Sequence, residues 1–362
     1  MVDGAAPPAS RAARGGWRRV RRVLGYVLPS VLCYVVTELF VASHLQGIIP
    51  ALRPQFFVRD VDHRMPPNDP KPPTNADGIR SRRQRGDFPD SAFNVLLLGD
   101  SFVYGYHLSF DETIPALVEQ RLRNAFPDKD VRVANFGWTS SSPLLSLRLL
   151  REVGPAYAPD LVVYCLDMTD FHDDIKYAAM LDRRGIYAIY DRFPITLTLW
   201  RTLSLGTFRD VHDWSLQGTL PRRIFFVSAA PLEQTRPFFR PMMANLAALY
   251  ELSGQLGARF TLVVFPRSYQ YSRKEAPDSW ERNAYENLGP YSLEPFRYFE
   301  EVGPELPYPV HSLLPAFQRT SVFPTCFSTD PHWNADGARV AAEGLAEILE
   351  QEIRHPAETI GR

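Results

Sequence analysis

The chain has 362 residues, 45% hydrophobic and 22% charged, an ordinary globular composition with enough material for one large domain or two small ones. A formal net charge of −1 gives no footprint for a polyanion, so nucleic acid is not an expected partner. Three cysteines, Cys33, Cys165 and Cys326, are too few for a disulfide scaffold. Buried free thiols are the expected state, and a Cys165–Cys326 bridge outside the cytoplasm is the alternative.

Residues 1–22 carry Arg11, Arg14, Arg18, Arg19, Arg21 and Arg22 against one acid, Asp3. The mostly apolar run Val23–Val41 follows, and as a helix it spans about 28 Å, close to the thickness of a bilayer's hydrocarbon core. This predicts a transmembrane anchor over 23–43, with a cytoplasmic N-terminus and the rest of the chain periplasmic or extracellular. Glu38 falls near the outer end, where a carboxylate reaches the interface. A signal peptide cleaved after small residues at Ala42-Ser43 is the rival reading, and the length of the run favours an uncleaved anchor.

Residues 44–92 change character. Eight prolines fall between Pro50 and Pro89, mixed with Arg, Asp and Asn, which reads as a stalk and lead-in. Within it, Asn75-Ala76-Asp77-Gly78-Ile79-Arg80 is a turn signal followed by an arginine. From 93 to 355 apolar strands alternate with helices. The predicted strands are Asn94–Leu98, Val131–Phe136, Leu161–Leu166, Phe260–Phe265 and Tyr308–Ser312. The predicted helices are Glu112–Asn124, Pro143–Val153, Pro241–Leu256 and Ala335–Glu350. That alternation predicts an α/β fold, a three-layer α/β/α sandwich on a five-stranded parallel sheet. In the flavodoxin-like order 2-1-3-4-5, the carboxyl ends of the first three strands converge on one site. A helical insertion at about 175–240, with an aromatic piece Phe193–Phe208, interrupts the third and fourth strands.

Those strand ends carry the chemistry. The first runs into Gly99-Asp100-Ser101, and a serine there needs a base and an anion-stabilising pocket to act as a nucleophile. The second ends in Asn135-Phe136-Gly137, whose glycine leaves a backbone N–H accessible. The third ends in Asp167-Met168-Thr169-Asp170. Far along the chain lies Asp330-Pro331-His332-Trp333-Asn334. Pro331 favours an extended Asp330, and residues two apart in extended chain point the same way. Asp330 and His332 then face one pocket, with Asn334 capping the last helix. Ser101, His332 and Asp330 thus form a nucleophile, base and orienter.

Other residues compete for these roles. His107 lies six residues past Ser101 without an adjacent carboxylate and reads as a loop residue. His311 reads as structural. Asp167, Asp170, Asp173 and Asp174 with His172 offer oxygen and nitrogen donors, but acids at a helix start are expected as caps rather than as a metal site.

The blocks around Ser101, Gly137 and His332, in that order, resemble the SGNH superfamily of serine hydrolases, also called GDSL esterases. Asp77-Gly78-Ile79-Arg80 is similar to the lead-in of its membrane-anchored bacterial members. The resemblance implies acyl-ester chemistry without cofactor or metal, and an oxyanion hole from Ser101, Gly137 and the third-block residue Thr169. Asp167 and Thr169 stand where the family has glycine and asparagine, and Asp330 is two residues from His332 where the family usually has three. The implied activity is ester hydrolysis or O-acyl transfer, with acetylated cell-surface polysaccharide as the substrate suited to the location. The alternatives are a lipid esterase and a catalytically weak carbohydrate-binding or scaffold component of an export assembly.

Overall fold

The structure is a computed structural model and describes residues 10–41, 68–181 and 224–354. The chain divides into two compact units, an N-terminal one holding the first helix and an α/β unit. The helix α1, Ser10–Val36, continues as a wider turn over Thr37–Val41. Within it, Val23–Phe40 has a mean hydropathy of 1.8 and is long and apolar enough to cross a membrane. Glu38, near the end of this segment, is 2% exposed. The aromatic piece Phe193–Phe208 lies outside the described residues.

The α/β unit is built on five parallel strands: β1 Phe93–Gly99, β2 Val131–Gly137, β3 Leu161–Leu166, β4 Arg259–Val264 and β5 Val310–Ser312. Their order is β2-β1-β3-β4-β5, as the alternation of strands and helices predicts. β1 is internal, with Gly99 in register with Gly137 on one side and Cys165 on the other. A strand buried on both faces needs apolar residues of both parities, and β1 supplies them. Leu96 and Leu98 point into one core, shared with Leu147 and Leu150 of α4 (Pro143–Glu152). Val95 and Leu97 point into the other, shared with Val118 and Leu122 of α3 (Ile114–Ala125). The one-turn helix α2, Ser101–Tyr104, follows β1 directly. The first core is closed by α5 (Asp170–Leu181), α6 (Arg240–Gln255) and α7 (Glu294–Val302), the second by α8 (Leu314–Arg319) and α9 (Ala335–Arg354). Three layers result, and the sheet's carboxyl edge carries the loops. Cys165 and Cys326 are buried and free, so the bridge does not form.

Asp174 ties three helices together under the first core. Its carboxylate accepts the Leu144 N–H at 2.8 Å and the Asn245 side-chain N–H at 2.7 Å. Burial pushes its pKa up to about 6, against the pull of those hydrogen bonds. A carboxyl raised in the folded state adds stability that is full below its unfolded value near 4, and the addition is lost as pH rises through about 6. Asp174→Asn removes this titration. Its unfolding free energy relative to wild type is expected to improve by about 2 kcal/mol between pH 4.5 and 7.5 in urea melts. An offset that is the same at both pH values would contradict it.

Candidate active site

The turn from β1 into α2 leaves no room for a side chain at residue 99. A Cβ on Gly99 would lie 2.7 Å from Val103 Cγ2 and 2.8 Å from the Cys165 carbonyl oxygen. Asp100 caps α2, its Oδ1 accepting the Phe102 N–H at 2.9 Å. Ser101 is the first residue of α2, where a backbone N–H has no intrahelical acceptor. The far end of α2 is held by the lead-in. Arg80 donates to the carbonyls of Tyr104 and Gly105, each at 2.7 Å, and to that of Leu108 at 2.6 Å.

His332 reaches this turn from the loop before α9. Its Nε2 lies 2.7 Å from Ser101 Oγ, and its Nδ1 is hydrogen-bonded to Asp330 Oδ1. The local device is not extended chain. Residues 328–332 form a bend, and Asp330 Oδ1 also accepts the His332 backbone N–H at 2.9 Å. An aspartate that bonds the amide two residues on makes a tight turn, and this turn brings the two side chains together. Asn334 caps α9 through the N–H groups of Asp336 and Gly337, both at 3.0 Å. Trp333 is buried, stacked on Phe317 at 4.6 Å and edge-on to Phe102 at 4.5 Å, which locks the loop to the residue after Ser101.

A second loop, residues 272–292, braces the first. The Glu275 carboxylate accepts the N–H groups of Thr325 and Cys326 at 2.8 and 2.9 Å, and Asp278 N–H donates to the Ser328 carbonyl at 3.1 Å. Trp280 lies on this loop beside Asp330. Burial works against charge on Asp330, but the side-chain and backbone hydrogen bonds from His332 outweigh it and hold the carboxyl well below the usual range.

Two of the three expected oxyanion donors are engaged elsewhere. The Gly137 N–H donates to Asn135 Oδ1 at 3.0 Å. The glycine has a steric reason of its own, since a Cβ there would sit 2.3 Å from the Tyr104 nitrogen. Both the N–H and the hydroxyl of Thr169 donate to Asp167 Oδ2, at 2.9 and 2.5 Å. Asp167 in turn receives both Nε and Nη2 of Arg267 at 2.7 Å, and Arg267 Nη1 donates to Glu281 at 2.8 Å. All three charged groups are buried. Burial opposes charge on Asp167, but Arg267 and the Thr169 bonds hold its carboxyl below the usual range. Burial, reinforced by Asp167, pushes Asp100 well above it. Removing one partner from such a buried pair typically costs about 3–5 kcal/mol.

Sequence reasoning passed over Arg267, Glu275, Glu281 and Trp280. Arg267 lies three residues past the carboxyl end of β4, as Thr169 does past β3, and the strand-end rule applied to the first three strands would have found it. His107, read as lacking a carboxylate, has Nε2 3.6 Å from Asp330 Oδ2. His311 pairs with Glu352 at 3.1 Å. In the aspartate run, Asp170 accepts from the Tyr164 hydroxyl and the Asp167 N–H, and Asp173 meets His172 and Lys176.

The sequence matches no family model and no curated protein. Among solved structures, the chain is similar to a catalytic mutant of Axe2, an acetylxylan esterase from Geobacillus stearothermophilus, at 14% identity over 73% of this chain and 95% of that one, with a TM-score of 0.42. It is also similar to TesA, at 16% identity over 72% and 98% of the two chains and a TM-score of 0.40. A lipolytic protein of the G-D-S-L family from Desulfitobacterium hafniense matches at 12% identity over 70% and 98%, with a TM-score of 0.34.

Because the Thr169 hydroxyl is committed to Asp167, Thr169→Val is expected to leave the rate of Ser101 phosphonylation by a fluorophosphonate within about twofold of wild type, while costing about 1 kcal/mol of stability. A fall of a hundredfold, the typical loss for an oxyanion donor, would show that the hydroxyl turns to the reacting phosphoryl oxygen.

Proposed function

We propose that this chain is a membrane-anchored serine ester hydrolase of SGNH/GDSL type, acting outside the cytoplasmic membrane on acylated, above all acetylated, carbohydrate. The observation that carries the reading is the line Ser101 Oγ, His332 Nε2, His332 Nδ1, Asp330 Oδ1, continuous in hydrogen bonds. In the reaction Ser101 Oγ attacks the ester carbonyl carbon and His332 Nε2 takes its proton. Asp330 holds the imidazole in the tautomer with the proton on Nδ1 and stabilises the imidazolium. The oxyanion is met by the Ser101 N–H, joined by that of Gly137 once Asn135 releases it. The tetrahedral adduct collapses, His332 gives its proton to the departing alcohol, and the acyl group stays on Ser101. Water, or a sugar hydroxyl in the transferase variant, then attacks the acyl-enzyme by the same route.

The carbohydrate assignment draws support from the rim. Trp280, on the loop beside Asp330, is 67% exposed, and Tyr106 is 38% exposed with its ring 4.9 Å from that of His332. Flat aromatic faces held open beside a reacting serine suit the apolar face of a sugar ring.

A fluorophosphonate probe should label the wild type and fail on Ser101→Ala. Asp330→Asn should lower kcat on an acetylated oligosaccharide by roughly 10⁴-fold. Equal labelling of wild type and Ser101→Ala would end the reading. The location has its own measurement. A reporter fused after Arg362 should be active only outside the cytoplasmic membrane, and the protein should resist salt extraction. Recovery of a soluble form beginning near His44 would show a cleaved signal instead of an anchor.

A further inference from the structure

We propose that His107 is a second histidine of this site, which aligns Asp330 with His332 and, once protonated, draws it away, so that activity is lost in acid through two protons rather than one. Asp330 presents two oxygens to two imidazoles. Oδ1 takes the Nδ1 and backbone N–H of His332, and Oδ2 lies 3.6 Å from His107 Nε2. The backbone at His107 is left-handed, with φ 64. Glycine adopts that conformation freely, whereas a residue with a Cβ is strained there. Core packing does not account for a histidine in this place, since its side chain is 49% exposed. The strained turn instead aims the ring. Tyr106 lies against it at 4.1 Å and Phe327 meets it edge-on at 5.6 Å. Arg80 fixes the same turn through the Gly105 and Leu108 carbonyls.

The groups that face His107 define what its proton does. They are Asp330 and, across the ring of Tyr106, His332. Behind Asp330 stand the Trp280 indole and Glu281, whose charge acts on both Asp330 and His332. A neutral His107 leaves the whole carboxylate charge to His332. A protonated His107 competes for that charge at Oδ2. It also opposes the imidazolium that His332 must become when it accepts the Ser101 proton.

The inference rests on the proposed roles of Ser101, His332 and Asp330, and its test separates the two. kcat/KM for p-nitrophenyl acetate is measured from pH 4.5 to 8.5 on the full chain in detergent, for wild type, His107→Asn and His107→Gly, both of which accept left-handed backbone. The wild-type acid limb should approach a slope of two and that of both variants should be one. Wild type and variants then diverge by about tenfold per pH unit along the limb. Neither variant should melt below wild type. A uniform loss of rate with the slope unchanged would make His107 merely structural, and an unchanged profile would make it a bystander; either overturns the proposal. If no protein turns the ester over, the hydrolase reading fails, and NMR of histidine ring carbons decides on His107 alone. The His332 resonance should then show a second inflection in wild type that is missing in His107→Asn. A single inflection in both would overturn the proposal.

Discussion

The site depends on a place where two backbones come too close for any side chain. The end of β1 and the start of α2 are pressed between β2 and β3, and a Cβ at Gly137 would penetrate to 2.3 Å of the Tyr104 nitrogen. Contacts that tight leave α2 a single position on the sheet. Ser101 therefore has one place to be, and its orientation is set by backbone packing rather than by its own hydrogen bonds. The remaining parts are arranged around that fixed point. Trp333 anchors the histidine loop against Phe102, the Asp330 turn points the imidazole inward, and Glu275 holds the loop's outer strand by its amides.

The buried Asp167–Arg267–Glu281 group shows what stands in the third block. Where the family resemblance implies an amide side chain free to face the substrate, this chain has a carboxylate and a hydroxyl that satisfy each other and a guanidinium. The arrangement joins the ends of β3 and β4 to the loop that carries Trp280. Two carboxylates share one guanidinium, and the excess of acid is met by raised carboxyls at Glu281 and at Asp100 beside it, both pushed toward the neutral form. A low-dielectric cluster of this kind favours one loop geometry strongly, because a partial rearrangement strands a charge. The site gives up a mobile donor and gains a rigid wall.

Much of this was legible in the sequence. The strands are apolar in both parities and short, the helices between them amphipathic, and local pattern of that kind fixes element type and the order of a parallel sheet. Ser101, Asp330 and His332 stood out because turn chemistry flags them locally: a glycine before the serine, a proline between the acid and the base, a cap after them. The reason given for the Asp330–His332 pairing was wrong even so. Extended chain was expected, and an aspartate turn does the work, because a side chain bonding its own backbone leaves no periodic trace. Arg267 and Glu281 escaped for a different reason. Their meaning lies in partners 100 and 14 residues away, and a buried charge looks like any surface charge until its partner is known. Gly137 was read for its open amide, whereas the packing demands a glycine regardless of any ligand.

The lead-in has a consequence for how this protein is cut. Arg80 belongs by sequence to a proline-rich approach that precedes the first strand, yet its guanidinium holds three carbonyls of the turn after Ser101. Asn75 is hydrogen-bonded to the Tyr157 hydroxyl at 2.6 Å, fastening the same stretch between β2 and β3 in sequence. The smallest autonomous fragment therefore begins before Asn75, not at β1. Trimming to the first strand would keep every residue of the sheet and strip the strap that closes the back of the Ser101 turn. Proteolysis is likewise harmless to the site only when the cut falls upstream of that strap.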